Sequence, residues 1–207
     1  MAENYVVHCE FMKYVYTRDT LFILTIQCMQ ETNLYTVTIP PMIRTLTALS
    51  GILDKLSAHA ASKQLDWHPA GMQEDALLQS RLISDQFPFV RQVQVACDNA
   101  KGAAARLAEI DVPKYEDNEK TVAELKARID KTIAFMKTVE PEQIIGKENI
   151  KISLPYWQGK HLTGFEYVTQ QLLPNFYFHV TTAYSILRKN GVNLGKSDYI
   201  TDLPFKD

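Results

Sequence analysis

Four stretches of this chain repeat apolar residues at alternating steps of four and three, the spacing that places side chains on one face of an α-helix. In the first stretch, "TIPPMIRTLTALSGILDKLSAHAASKQ", the repeated residues are Met42, Leu46, Leu49, Leu53, Leu56 and Ala60. Helices of about 20 residues with one apolar face are not stable alone, because water covers that face until another helix replaces it. The pattern therefore predicts an all-α fold, a four-helix bundle.

Prolines give expected starting points for two helical segments. Pro40 and Pro41 precede the first stripe, and the first turn of a helix tolerates proline because its amides have no intrahelical partner. The second stretch, "EDALLQSRLISDQFPFVRQVQVACDNAKGAAARLAEI", has a helical pattern on both sides of Pro88, which we expect to kink or restart the helix. The apolar stripe after this proline consists of Phe89, Val93, Ala96, Ala100, Ala104 and Leu107.

The other two helices carry start and stop signals. Thr121 and Glu124 have the spacing of a capping box at the start of the third helix. Its buried stripe is expected to be Val122, Leu125, Ile129, Ile133 and Met136. The fourth helix is predicted to run from near Thr163 to Asn190-Gly191, a left-handed stop. Before it, "NIKISLPYWQGKHLTG" alternates around Gln158-Gly159, which predicts a small β-hairpin.

Charge, cysteine content and hydropathy argue against several classes of protein. The chain of 207 residues has 22 basic and 24 acidic side chains, so it lacks the basic surface of a nucleic-acid-binding protein. Cys9, Cys28 and Cys97 show no paired spacing for zinc or redox chemistry, which favours reduced thiols. The first residues lack a secretion signal, and the apolar run "LFILTI" is too short to span a bilayer. We therefore expect a cytoplasmic protein without a membrane partner.

Four segments together carry a family resemblance: "LDKLSAHA", "RLISDQFPFVRQVQVACDNAKGAAARL", "YEDNEKTVAELKARIDKTIAFM" and "LPNFYFHVTTAYSILRKNGVNLGKSDY". In this order, between about Tyr35 and Tyr199, the chain resembles the DUF1993 family (domain of unknown function), a branch of the DinB/YfiT-like four-helix bundles. The resemblance implies a bundle that is often dimeric, so a homodimer is expected. It also places the chain near metal-dependent enzymes, some of which are thiol transferases, while whether this chain is an enzyme stays open.

Residues 1–34 lie outside the resemblance and are expected to form an amino-terminal extension, separate from a bundle domain of residues 35–207. The extension has scattered aromatic residues and cysteines without a sustained period. One hypothesis is that it contains translated intron sequence, because the codons of Val15 and Gln30 can supply splice-like ends. The alternative is an additional strand that packs on the bundle.

The resemblance also implies a metal site that this chain carries only in part. Metal-binding members of the superfamily use one histidine from the second helix and an HxxxH pair on the last. Only His179 matches, because Ala183 stands four residues after it and Asn175 four before it. The second helix offers Asp85, Gln92 and Asp98 but no histidine. Divalent zinc or nickel is therefore disfavoured as a cofactor, and no metal ligand set is predicted.

His179 is the main candidate for a functional residue. It shares an apolar stripe with Leu172, Phe176, Ala183 and Leu187, so its ring is expected to point into the bundle. An imidazole buried without a partner is costly, so some polar group should meet it. Three roles stay open: a core histidine bonded to a neighbouring helix, an acid/base or ligand-binding group in a pocket, and a metal ligand.

Five further residues are candidates for ligand contact. His59 lies at the flank of the first stripe and can face the same cavity as His179, or it can be a half-exposed helix residue. Asp85 can orient a histidine or can cap the helix that restarts at Pro88. Gln92 can offer an amide to a ligand. Asn175 and Tyr184 can line the pocket of His179, although a tyrosine at such a place is commonly a core residue.

The sequence therefore predicts a DinB-like bundle that binds a small molecule in a cavity lined by His179. Such a protein could serve as an enzyme or as an accessory factor in specialised metabolism of the fungal type. A second class is a non-catalytic dimerisation or interaction module, in which the polar core residues only set the helix register. A third class, a helix-turn-helix DNA-binding protein, is disfavoured by the acidic balance of charge.

Overall fold

The structure, a computed structural model, describes residues 32–206 and, before them, the backbone of residues 6–9, 12–17 and 20–24. The chain divides into two compact units, Met1–Thr32 and Asn33–Asp207. This division lies close to the boundary expected between the extension and the bundle domain.

The first unit contains a three-stranded antiparallel sheet in the order β1 (Val6–Cys9), β2 (Met12–Thr17) and β3 (Thr20–Leu24). Val6 pairs with Val15, and Tyr14 pairs with Ile23. The origin of this segment stays a prediction, and part of the suggested insert from Val15 to Gln30, namely residues 18–19 and 25–30, lies outside the described residues.

The first helix, α1 (Leu34–Lys63), begins earlier than predicted. The expectation that Pro40 and Pro41 mark its start is wrong, since both lie inside the helix. Asn33 and Thr36 form a capping box that fixes the true start. The Asn33 side chain accepts a hydrogen bond from the Thr36 amide, and the Thr36 hydroxyl accepts one from the Asn33 amide, each at 3.0 Å.

Burial explains why α1 continues through its prolines. Each proline removes one backbone hydrogen bond from a helix interior. The turns before them nevertheless bury Leu34 and Ile39, which are 3% and 1% exposed. The stripe that follows is also buried, which confirms the sequence pattern: Met42, Leu46, Leu49, Leu53, Leu56 and Ala60.

Two helices, α2 (Met72–Leu78) and α3 (Phe89–Leu107), occupy the second stretch. Pro88 is the N-cap of α3, so the prediction that it restarts a helix is confirmed. The prediction of helix directly before it is wrong, because residues 79–88 form turns. Lys189 stabilises these turns by donating to two of their carbonyl oxygens, at 3.0 and 3.2 Å.

The helix α4 (Val122–Met136) has the predicted capping box. The Glu124 amide donates to the Thr121 hydroxyl at 3.2 Å, and the Thr121 amide donates to the Glu124 carboxylate at 3.0 Å. Its apolar stripe faces the core, with Ile133 only partly buried. A short helix, α5 (Pro141–Ile144), follows.

The predicted hairpin is present as β4 (Lys151–Ile152) paired with β5 (Leu162–Thr163). A 3₁₀ turn, Pro155–Trp157, lies between the two strands. Gln158 and Gly159 then reverse the chain with positive φ values of 53° and 82°. The turn was therefore predicted at the correct residues.

Thr163 caps the last long helix, as expected. That helix consists of α6 (Gly164–Glu166), a π-helical segment (Tyr167–Leu172) and α7 (Leu173–Lys189). It ends at Asn190, where Gly191 has a φ of 85°. A further short helix, α8 (Lys196–Tyr199), follows; the sequence pattern did not predict the π-helical segment.

The helices α1, α3, α4 and α7 enclose one apolar core, which confirms the four-helix bundle. Packing joins α3 to both α7 and α4, and joins α1 to α4. The α3 and α7 helices are antiparallel, because Gln92 near the start of α3 meets His179, whereas Arg106 near its end meets Tyr167. Among the helices of the described residues, none is both long and apolar enough to cross a bilayer.

Candidate functional site

His179 and Gln92 form a hydrogen-bonded pair between α7 and α3. His179 occupies a core position on α7 and is 8% exposed, and Gln92, in the first turn of α3, is 1% exposed. Nδ1 of His179 lies 2.7 Å from Oε1 of Gln92. The buried imidazole therefore has a polar partner on a neighbouring helix, as burial requires.

Gln92 determines which nitrogen of His179 carries the proton. Its Nε2 group donates to the carbonyl oxygen of Phe87 at 3.0 Å, and this contact fixes the orientation of the carboxamide. The oxygen Oε1 then faces the imidazole, and a carboxamide oxygen only accepts. Nδ1 of His179 must therefore donate, which leaves Nε2 of the neutral ring with a free lone pair.

This free Nε2 atom reaches the protein surface. It has no hydrogen-bond partner within residues 32–206. Five side-chain polar atoms in these residues are buried and have no hydrogen-bond partner: Gln86 Oε1, Asn99 Nδ2, Arg128 Nε, Gln171 Oε1 and Thr201 Oγ1. Nε2 of His179 is not one of them. An unpartnered ring nitrogen outside this set is accessible to solvent. The pair thus presents one lone pair of an otherwise buried imidazole, which suits a hydrogen-bond acceptor or a general base.

Two effects keep the His179 ring uncharged at neutral pH. Burial lowers the pKa of His179 because an imidazolium ion loses its hydration, and the nearby positive charge of Arg91 lowers the pKa further. Arg91 is itself held by an ion pair with Asp117 and a hydrogen bond to Gln94. The accepting lone pair on Nε2 is therefore retained at neutral pH.

The lowered pKa predicts a specific loss of stability in acid. Below about pH 6.5 the unfolded chain protonates its histidine more readily than the folded protein does, so acidification favours unfolding until the lower folded-state pKa is reached. We expect the free energy of unfolding of His179→Gln to fall less between about pH 7 and pH 5 than that of the original protein. Urea denaturation at several pH values measures this difference. His161→Gln is the matched control, because His161 is exposed, and an equal pH dependence in all three proteins would contradict the prediction.

A depression of about 430 Å³ lies between α7 and the turns of residues 79–88. His179 does not itself line it, but Phe178, next to His179 in sequence, and Thr182, about one turn away, do. Its lining is Leu82, Gln86, Tyr177, Phe178, Thr181, Thr182 and Ser185, which includes no charged side chain. The Phe178 ring meets the His179 ring edge to face, with 5.3 Å between their centroids. A small ligand in this depression would meet apolar rings, hydroxyl groups and one carboxamide.

Asn175 and Tyr184 have partners elsewhere. Nδ2 of Asn175 donates to Oδ1 of Asn99 on α3 at 3.0 Å. The ring of Tyr184 meets that of Tyr199, on α8, with 5.9 Å between the centroids. Neither Asn175 nor Tyr184 lines the depression beside His179.

His59 and Asp85 also lie apart from His179. His59 lines a different depression, together with Asn190 at the end of α7. A helix rises about 1.5 Å per residue, which puts Asn190 about 16 Å from His179 along the axis, so the two histidines do not share one cavity. Asp85 is exposed. The N-cap of α3 is Pro88, and no side chain forms a capping hydrogen bond there, so Asp85 does not have the capping role that was its alternative to a functional one.

The side chains around His179 do not fit the metal that the superfamily implies. One turn after His179 stands Ala183, and the residue that meets the ring from α3 is Gln92, whose oxygen is bonded to Nδ1. Within the part of the chain that the structure describes, no three His, Cys, Asp or Glu side chains form a metal-binding group. One imidazole nitrogen supplies a single ligand where zinc or nickel takes at least three from the protein.

Cys97 is not suited to nucleophilic chemistry. It is a free cysteine with no exposed surface, and burial raises the pKa of its thiol to about 12. A thiol with this pKa is almost fully protonated at neutral pH, so it supplies no thiolate.

Sequence patterns identified Gln92 but not the two groups that act with it. The Phe87 carbonyl that orients Gln92 is a backbone atom, and Arg91 affects the charge of His179 through space. Both residues lie close to Pro88, at the start of α3. Pro88 was the signal in the sequence that could have pointed to them. It marks the start of α3, and Phe87, Arg91 and Gln92 all lie within four residues of it.

Comparisons with known proteins agree with this architecture. The family model described as "Domain of unknown function (DUF1993)" matches residues 34–200. A crystal structure of a DinB family member protein from Shewanella denitrificans is 43% identical in sequence, with a TM-score of 0.76. The match covers 84% of this chain and 95% of that chain. No curated protein matches the chain, and neither similarity supports DNA binding. The chain therefore belongs to the DUF1993 family and has the four-helix-bundle fold of a DinB family member.

Proposed function

We propose that this protein binds a small, uncharged molecule in the depression beside His179, and that the molecule donates a hydrogen bond to Nε2 of His179. One observation carries the proposal: the hydrogen bond between Gln92 and Nδ1, which leaves the accessible Nε2 atom as an acceptor. The Nδ1 contact fixes the ring, so the exposed acceptor has a defined position for a ligand to meet.

The surroundings favour an uncharged ligand with an apolar body. Leu82, Tyr177 and Phe178 offer apolar surface, and the Ser185 hydroxyl offers a hydrogen bond. The Thr181 hydroxyl also lines the depression and is 3.0 Å from the Tyr199 hydroxyl. No lysine, arginine or carboxylate lines the depression, so a charged ligand would lose hydration without gaining a counter-ion. Pockets that combine apolar walls with a few polar groups are typical of small-molecule sites.

The same geometry suits proton abstraction. A neutral imidazole whose Nδ1 is held by an acceptor keeps its orientation, so Nε2 can remove a proton from an O–H or S–H group of a bound molecule. Gln92 is a positioning residue in this arrangement, since it touches His179 rather than the ligand. The proposal concerns the hydrogen bond between a donor group of the ligand and Nε2 of His179. An enzyme would use the same contact to remove the proton.

Phenol and fluorobenzene test the proposal as a matched pair of probes. They have similar rings, and only phenol donates a hydrogen bond. In protein with ¹⁵N-labelled histidine, we expect phenol to shift the Nε2 resonance of His179 in a saturable manner, and we expect fluorobenzene to bind about tenfold more weakly, the usual effect of one hydrogen bond in a small ligand. Equal affinity for the two probes, or no saturable shift, would reject the proposal.

Two variants separate the role of the ring from that of its partner. His179→Gln keeps a polar group at the position and is expected to remove the preference for phenol. Gln92→Met has a similar volume but no orienting oxygen, so the NMR spectrum should show both tautomers of His179 and weaker phenol binding. A Gln92→Met protein with unchanged tautomer and affinity would show that Gln92 does not position the ring.

A second candidate function is a dimerisation module. Leu82, Ile83, Phe87 and Phe178 are between 40% and 58% exposed, and all four lie on α7 or on the turns beside it. A cluster of exposed apolar side chains is a common feature of protein interfaces. Sedimentation equilibrium distinguishes the candidates: a dimer that Phe178→Ser dissociates, without any phenol preference, favours the module over the ligand-binding protein.

A further inference from the structure

A second depression, of about 440 Å³, lies where α1, α2 and the end of α7 meet. Its lining is His59, Ala60, Lys63, Gln73, Ala76, Leu77 and Asn190. The volume falls in the range of small-ligand sites. It is separate from the depression beside His179, because the two share no lining residue.

The polar groups of this depression are cationic or neutral, and two of them have no partner. Within residues 32–206, the Lys63 ammonium group and the His59 ring form no hydrogen bond or ion pair. The His59 ring lies against the end of α7, since a β-carbon built on Gly191 would stand 3.8 Å from its Cε1 atom. Both groups are therefore available as donors to a ligand.

The two carboxamides complete the polar wall. Nδ2 of Asn190 donates to the Ser80 hydroxyl at 2.8 Å and to the Ile186 carbonyl at 2.7 Å, which holds the side chain in place. Gln73 lies on α2, and its Nε2 atom is 3.3 Å from Nδ1 of His68. The walls thus combine a fixed amide on one side with an exposed ammonium group on the other.

No carboxylate lines the depression, although acidic residues stand close by in the sequence. The Glu74 carboxylate, next to Gln73, is engaged with the Ser57 hydroxyl at 3.3 Å and with the Val122 amide at 3.0 Å. Ala60 and Leu77 contribute buried apolar surface at 5% and 8% exposure. The depression therefore offers one positive charge, several hydrogen bonds and a short aliphatic surface.

We propose that this depression binds a small monocarboxylate with a short aliphatic body. The carboxylate lies between Lys63 and His59, and the aliphatic part lies on Ala60 and Leu77. A charge-assisted hydrogen bond from lysine to a carboxylate is stronger than one between neutral groups, which makes Lys63 the main determinant of the ligand class.

A phosphate group fits this depression less well than a carboxylate. Phosphate sites commonly use arginine, helix N-termini or several cations, because the dianion needs more than one positive charge. Here the lining has one lysine and no arginine, which matches the single negative charge of a carboxylate. The proposal therefore commits to the carboxylate.

Isobutyrate is the probe for this site, and isobutyramide is its neutral control of nearly equal shape. In ¹H–¹⁵N NMR titrations at constant ionic strength, we expect isobutyrate to give saturable shifts at His59, Lys63 and Gln73, with a dissociation constant in the millimolar range. Isobutyramide and inorganic phosphate are each expected to bind at least about fivefold more weakly.

Lys63→Met tests the charge at the site, and Lys137→Met is its matched control, because Lys137 is exposed and far from this lining. We expect Lys63→Met to weaken isobutyrate binding about fivefold or more, and Lys137→Met to change it less than about twofold. Equal effects of the two variants, equal binding of isobutyramide, or tighter binding of phosphate would overturn the proposal. The result does not depend on the phenol experiment, since the two depressions have separate lining residues.

Discussion

Arg128→Met is expected to lower the free energy of unfolding by about 3 kcal/mol, the lower end of the range for removing one partner from a buried ion pair, because Asp98 keeps Lys101 and Asp117 keeps Arg91 as partners. The Arg128 side chain is 2% exposed and meets three carboxylates. Its guanidinium group lies 2.8 Å from Asp98 and 2.9 Å from both Asp117 and Glu119. Methionine fills a similar volume but leaves these carboxylates without their common cation.

The same arginine joins three parts of the bundle domain. Arg128 lies on α4, Asp98 lies on α3, and Asp117 and Glu119 belong to the connection between these helices. A further bond from the guanidinium group to the Glu116 carbonyl, at 2.9 Å, holds the connection directly. Burial alone would lower the pKa of Arg128, but the hydrogen bond that Arg128 donates to Glu119 and the charges of Asp98 and Glu119 raise it above its ordinary value. The connection should therefore loosen in the variant.

Urea denaturation measures the loss, and limited proteolysis of residues 110–120 shows whether the connection has loosened. Lys126→Met is the matched control, because Lys126 on the same helix pairs with Asp54 at the surface, and exposed pairs contribute about 1 kcal/mol or less. An Arg128→Met protein that loses no more stability than Lys126→Met would show that the buried cluster is not a determinant of stability.

The fold was predictable where one residue pattern determined one structure. The apolar stripes gave the helices of the bundle, and Thr121, Thr163 and Gln158-Gly159 gave two helix starts and a turn at the correct residues. Each of these signals acts within a few residues of the chain. Pro40 and Pro41 misled the prediction because the burial of Leu34 and Ile39, a tertiary effect, outweighs the two hydrogen bonds that the prolines remove.

The candidate site was predictable only as a set of residue types. His179 and Gln92 were both candidates, but their pairing depends on the register between α3 and α7, which lie 87 positions apart at this contact. The sequence pattern placed His59 with His179 because His59 flanks one apolar stripe and His179 lies on another. The stripes of a bundle extend along its whole length, so this pattern does not bring the two residues together. The roles of His179, Gln92 and the other candidates stay predictions until ligand binding is measured.

Gly164 illustrates a contact that no local pattern reveals. It follows the N-cap Thr163 at the start of α6, where glycine has no conformational requirement. A β-carbon at this position would stand 2.1 Å from the carbonyl oxygen of Lys147 and 3.4 Å from that of Glu148. The close approach is held by a hydrogen bond of 3.0 Å from the Phe165 amide to the Glu148 carbonyl. Backbone, unlike a flexible side chain, cannot move aside without breaking this bond.

We therefore expect Gly164→Ala to lower the free energy of unfolding by about 3 kcal/mol, at the upper end of the usual effect of overpacking. Gly51→Ala is the matched control with the opposite expected sign. Gly51 is exposed in the middle of α1, and a β-carbon there would meet no atom within 4 Å. Alanine should stabilise this helix by about 0.5–1 kcal/mol, because glycine loses more backbone entropy on folding. Urea denaturation of the two variants measures both values, and changes of the same sign would contradict the role assigned to Gly164.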